Sequence, residues 1–148
     1  MIYDVNTERI ERQLTYLQTC IDVIARIDEQ PQEKWMQDPI RVFALSRAYH
    51  IAVECIIDVG SLLIDGFIMR DPGGYLDIVD ILADEEVIPA EQADTIKTLV
   101  RFRDRLARHY DTLVPADLAE HLDKREIMAS FINWVRSYLT RELGESYR

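Results

Sequence analysis

Asp38-Pro39 opens the stretch that most limits how this chain can fold. Asp is a good helix N-cap, and Pro suits the first helical position, where no amide donor is needed. From there to about Asp65 apolar residues cover most of the helix girth: Ile40, Phe43, Ala48, Ile51, Ala52, Cys55, Ile56, Val59, Leu62 and Leu63. The predicted helix is about forty ångströms long at 1.5 Å per residue. Only a narrow polar seam remains, made by Arg47, His50, Glu54, Asp58, Ser61 and Asp65. A helix this apolar needs neighbours on several sides, so it is expected at the centre of a helical bundle.

The other segments repeat apolar residues at steps of three and four, with no sustained strand-like alternation. A first helix is predicted from about Asn6 to Asp28, with Ile10, Leu14, Leu17, Ile21, Ile24 and Ile27 as its stripe. Asp71-Pro72-Gly73-Gly74 is turn chemistry; Phe67, Ile68 and Met69 just before it are apolar enough to be expected to pack. A short helix follows from about Tyr75 to Glu85, with Ile78, Ile81 and Leu82 inward. The next runs from about Pro89 to Arg108, with Ile96, Leu99, Val100, Leu106, Ala107 and Tyr110 on its inward face. The last is predicted from near Pro115 to about Leu143, its stripe Leu118, Leu122, Ile127, Phe131, Ile132, Val135 and Leu139, with Gly144 as its stop. The fold class is all-α, a bundle of four to five helices, and residues 1–148 read as one domain without linker or internal repeat.

Composition narrows function. A formal net charge of -10 argues against broad binding to nucleic acid or anionic membrane, though not against a local basic pocket. No window approaches a membrane span, and Met1-Ile2-Tyr3-Asp4 does not begin a signal peptide, so a cytoplasmic location is expected. Cys20 and Cys55 sit in apolar helical contexts and read as reduced core residues, a disulfide being the lesser alternative. No Cys/His cluster points to zinc, and no cofactor is expected.

Arg101-Phe102-Arg103-Asp104-Arg105-Leu106-Ala107-Arg108-His109-Tyr110 stands out against this acidic background, with four arginines, a histidine and a tyrosine in ten residues. Arg103 lies within the inward apolar face, so its charge must find a partner or line a cavity. It could pair with Glu54 or Asp58, or present its planar fork to phosphate oxygens, and the two are compatible because a carboxylate can orient an arginine that also meets a ligand. His109 could be a general acid or base, or an exposed histidine at a helix end. At about 100° per residue, Arg103 and Tyr110 share a face while His109 points about 120° away. Three outcomes follow: the helix unwinds near Arg108, a second subunit supplies one partner, or the histidine is not catalytic. Tyr110 could be a core aromatic, a base-stacking surface or a modified hydroxyl. His50 reads as a structural histidine and His121 as solvent-exposed.

Residues 102–110 resemble the Arg-x(4–6)-His signature of HEPN proteins, closest to the HepT-like group (domain of unknown function 86), whose motif often reads FRNxLVHxY. Asp65-Gly66-Phe67-Ile68-Met69-Arg70-Asp71-Pro72-Gly73 resembles the loop of the YutE-type bacterial members. The resemblance covers the whole chain. It implies an antiparallel bundle that homodimerises, with motif helices of two subunits forming one cleft. It further implies a metal-independent endoribonuclease, the toxin of a type VII (HepT/MntA-like) toxin–antitoxin system. Its antitoxin would be a minimal nucleotidyltransferase, which in some pairs adenylylates the motif tyrosine. Carried over, Arg103 and His109 would be catalytic and Tyr110 the motif tyrosine. In the ribonuclease reading Arg101, Arg105 and Arg108 would draw RNA in, while Glu54 and Asp58 could support Arg103 from behind or form half of a salt-bridge seam. Three positions depart from the common motif: Arg108 occupies the favoured histidine slot, Asp104 replaces the asparagine and Ala107 a valine. YutE-type members can lack the motif histidine, so the alternative is a non-catalytic HEPN dimer that binds a partner protein or nucleotide.

Overall fold

The structure, a computed structural model, describes residues 3–144; Met1, Ile2 and residues 145–148 of the expected domain lie outside the described residues. Among the described residues seven α-helices follow in order, α1 (Thr7–Asp28), α2 (Gln32–Trp35), α3 (Pro39–Gly66), α4 (Tyr75–Asp84), α5 (Ala93–Arg108), α6 (Pro115–Ala119) and α7 (Arg125–Leu143). Three short 3₁₀ turns lie at Ala90–Gln92, Tyr110–Thr112 and Leu122–Lys124, and no strand occurs among the described residues.

α3 is the axis. The Asp38 side chain accepts from the Ile40 amide at 3.1 Å, the cap its sequence predicts. α1, α4 and α5 all pack on α3, and α7 closes the bundle against α1. The six predicted stripe residues of α1 and all seven of the last helix are buried. Burying a Leu, Ile or Phe side chain contributes about 1.5–3 kcal/mol, so these stripes fix the bundle far more firmly than any surface ion pair. α4 comes close to α3 because position 60 is Gly: a Cβ there would lie 2.6 Å from Ile78 Cγ2.

Four expectations are corrected. α3 is embedded only from Leu45 onward; Ile40 and Phe43 are 80% and 76% exposed, since the first turns touch the core only through Val42. Of the three apolar loop residues, Phe67 is buried and Met69 partly so, but Ile68 is exposed. It takes φ 55° as the left-handed residue that closes α3, with the Met69 amide donating to the Ile64 carbonyl. The last helix is not continuous. The Leu118 carbonyl accepts both the Tyr49 hydroxyl and the His121 amide, so the chain turns there and α7 begins at Arg125. The trace in the sequence is the step of five from Leu122 to Ile127, which breaks the three-and-four rhythm. His121 is not solvent-exposed: its ring stacks on Phe102 at 3.9 Å between centroids, and Nδ1 lies 3.0 Å from the Asp117 carbonyl. Gly144 does stop α7, at φ 66°.

Both cysteines are free and buried. Burial pushes the Cys20 thiol up to about 11 and the Cys55 thiol up to about 12. No described helix is long and apolar enough to cross a membrane.

Candidate active site

α5 buries Ile96, Leu99, Val100, Phe102 and Leu106, and this packing aims Arg103 at the polar seam of α3. Arg103 is 21% exposed, and its Nε donates to Glu54 Oε1 in a short charge-assisted bond. The flat guanidinium lies over the Tyr75 ring, 4.6 Å from its centroid. Its two terminal nitrogens make no hydrogen bond among the described residues. The arginine is thus fixed by its edge and one face, with its fork unspent. Of the two carboxylates offered by the sequence, Glu54 takes this role. Asp58 has no ion pair among the described residues, and burial, with the neighbouring Glu54 charge, holds its carboxyl above the usual range.

His50 shares the same carboxylate oxygen, its Nε2 3.7 Å from Glu54 Oε1. Burial lowers its pKa, the Arg47 and Arg103 charges add to the effect, and Glu54 opposes it. His50 therefore favours the neutral form more strongly than an exposed histidine does.

α5 ends at Arg108, and His109 takes φ −122°, ψ 34° as the residue beyond it. The helix therefore stops near Arg108, one of the three outcomes the spacing allowed. Yet the imidazole turns to the exposed flank, with Nε2 3.4 Å from Asp104 Oδ2, and no contact joins it to Arg103. The same stop explains Tyr110. Its expected inward position assumed continued helical rotation, whereas it sits in a 3₁₀ turn and is 68% exposed.

The remaining arginines divide. Arg105 straps the segment after α5, donating to Asp117 Oδ2 at 3.0 Å and to the Thr112 carbonyl at 3.4 Å. Asp117 also accepts the Val114 amide at 2.9 Å; that bond and then Arg105 hold its carboxyl below the usual range. Arg101 and Arg108 are exposed and, with Arg103, line a groove of about 710 Å³ whose far wall is Gly73-Gly74-Tyr75. Arg108 Nε is 4.0 Å from Asp104 Oδ1, a loose surface pair.

That wall is built by a contact the sequence reading missed. Arg70 donates to both oxygens of Asp77, at 2.8 and 3.0 Å, and Asp77 also accepts the Gly73 amide at 2.8 Å. The Arg70 bonds first, then the Gly73 amide, hold the Asp77 carboxyl at about 2. The Asp-Pro-Gly-Gly turn is thereby tied back onto the first turn of α4, with Tyr75 under Arg103. The available signal was an arginine and an aspartate flanking a turn, with an aromatic between them. Among the described residues no group of three or more His, Cys, Asp or Glu could hold a metal ion.

The bundle thus turns a supported arginine, just before a helix end, toward an open groove. Residues 16–133 match the family described as Ribonuclease HepT-like, and the chain belongs to it. Among its relatives, Putative RNase YutE of Bacillus subtilis (strain 168) is 38% identical over 144 residues, covering 97% of this chain and 96% of that protein. The solved structure of YutE, described as a cytosolic protein of unknown function, superposes with a TM-score of 0.85 over 97% of this chain and 96% of that one. A tri-AMPylated HEPN toxin of Shewanella oneidensis, solved in complex with an MNT antitoxin, has a TM-score of 0.78 at 18% identity, covering 86% of this chain and 96% of that chain. A toxin–antitoxin structure with AMP-PNP gives 0.75 at 20% identity, covering 86% and 95%. At those identities the likeness to the toxins is one of fold.

Proposed function

We propose that this chain is a metal-independent endoribonuclease, the toxin of a type VII toxin–antitoxin pair, acting in the cytoplasm as a homodimer. The observation that carries the reading is Arg103. Glu54 and Tyr75 hold it from behind and below, while its terminal nitrogens remain free beside a groove. A guanidinium preorganised in this way suits the charge that builds on phosphoryl oxygens during transesterification. The ribose 2′-oxygen bonds to phosphorus as the bond to the next 5′-oxygen breaks, leaving a 2′,3′-cyclic phosphate. The 2′-hydroxyl proton passes to His109, and the departing 5′-oxygen takes a proton from the imidazolium or from water. Arg101 and Arg108, exposed on the groove, draw in the RNA backbone, whereas Arg105 contributes from its strap on Asp117. The partner is a minimal nucleotidyltransferase antitoxin, and the exposure of Tyr110 supports its hydroxyl as the adenylylation site.

One observation favours a second reading, a non-catalytic HEPN dimer that binds a partner protein or nucleotide: the His109 ring is engaged by Asp104 rather than brought to Arg103. Growth after induced expression separates the two. Arrest by wild type, relieved by both Arg103→Ala and His109→Ala, supports the ribonuclease toxin. In vitro, cleavage of single-stranded RNA in EDTA should fall about 10²-fold or more in Arg103→Ala. Cleavage that is indifferent to Arg103 overturns the reading.

A further inference from the structure

We infer that the groove between Gly73-Gly74-Tyr75 and α5 is a subsite for the nucleotide beside the scissile phosphate, with the exposed part of the Tyr75 ring as the platform for its base. The inference rests on the ribonuclease reading and adds to it where the neighbouring nucleotide lies and what holds it.

Tyr75 is the first residue of α4, and its backbone is fixed by the Arg70–Asp77–Gly73 tie. One face of its ring carries the Arg103 guanidinium at 4.6 Å. The residue is nevertheless 49% exposed and lines the groove, so the ring keeps a surface for a second planar group. An aromatic rigidly held beside a phosphate-directed arginine is the pairing that single-stranded nucleic acid uses. Bases stack on the ring without regard to sequence, and cations track the backbone. The cations are present on the same side. Arg101 and Arg108 are seven residues apart on α5, hence in nearly the same direction and about 10.5 Å apart along its axis. Arg101 has no ion pair among the described residues, and Arg108 has only the loose one to Asp104. Lys97, one turn before Arg101, is by contrast neutralised by Asp80 at 2.5 Å, so the free positive charge begins at the groove. No side chain stands at Gly74, where even a Cβ would meet nothing within 4 Å. The wall opposite α5 is therefore low and open, with the tyrosine at its end.

The test is fluorescence anisotropy on the full chain, with short single-stranded 2′-O-methyl RNA that binds but lacks the hydroxyl needed for cleavage. Tyr75→Ala and Tyr75→Leu should weaken binding about 5- to 150-fold, the span of one base stacked on an aromatic, while Tyr75→Phe binds as wild type. An abasic site at one position of the strand should weaken wild type by the same factor and add nothing in Tyr75→Ala. Arg101→Ala should reduce the slope of log affinity against log salt by about 0.7. Equal binding by wild type and Tyr75→Leu overturns the subsite. So does a loss in Tyr75→Leu that is equal for intact and all abasic strands, because the ring would then only be steadying Arg103. In either case Arg103-dependent cleavage of unmodified RNA by wild type would leave the ribonuclease reading standing. Wild type that neither binds nor cleaves RNA ends both.

Discussion

Arg103 is set by residues from two other elements, and each can be removed by itself. Truncating Glu54 leaves a half-buried guanidinium without its carboxylate. Glu54→Ala is expected to slow RNA cleavage about tenfold, less than loss of the arginine itself. After discounting for partial exposure it should lower unfolding free energy by about 1 kcal/mol in urea titration, and Glu54→Gln should recover part of both. Asp77 offers a pH signature for the wall of the groove. Its folded pKa, about 2, lies below the ordinary 3.8, so it contributes stability that is complete above the unfolded value. That contribution fades as pH falls below about 4 and is gone below about 2. The stability difference between wild type and Asp77→Asn should therefore be constant near neutrality and vanish in acid. A difference that stays constant down to about pH 2 would show that the Arg70–Asp77 tie does not hold the loop in solution.

At the scale of helices, two packing details make opposite predictions. Gly60 lets α4 settle onto α3, and the first atom of any side chain would collide with Ile78. Gly60→Ala gains about 1 kcal/mol of helix propensity but must push α4 outward, so a net loss of about 1–2 kcal/mol is expected. Ile68 closes α3 in the left-handed region with its side chain exposed, a poor conformation for a β-branched residue. Ile68→Gly should raise the unfolding free energy by about 1 kcal/mol, read from the shift in the urea midpoint. Helix existence was legible in the sequence wherever a stripe was long, as in α1 and α3. Continuity was not. α6 and α7 read as one helix because periodicity cannot show that the Leu118 carbonyl would be taken by a tyrosine on α3, sixty-nine residues away in sequence.

At the scale of the molecule, the exposed apolar pair Ile40 and Phe43 matters most. They continue the α3 row through Arg47, His50 and Glu54 at steps of three and four, so this face runs directly into the candidate site. The proposed homodimer would cover it. Light scattering should then give the mass of two chains for wild type and of one chain for Phe43→Glu, and the variant should lose cleavage without losing helicity. If Phe43→Glu remains a dimer, this face is not the contact. The candidate site is divided in the same way between what sequence and structure reveal. That Arg103 needs a partner, that α3 offers Glu54 or Asp58 for it, and the resemblance of residues 102–110 to the family motif could be read from residue order. Tyr75, its tie through Asp77 and the turning of His109 toward Asp104 could not. Residue order alone specified an all-helical bundle about the 39–66 axis, the stripes that face it and a basic motif near the end of a helix. Those follow from local periodicity, caps and turn residues. Which carboxylate holds the arginine, which aromatic lies under it and where the histidine points emerge only once the chain has folded. Each depends on side chains that meet across elements or past a helix end, where residue spacing no longer fixes direction.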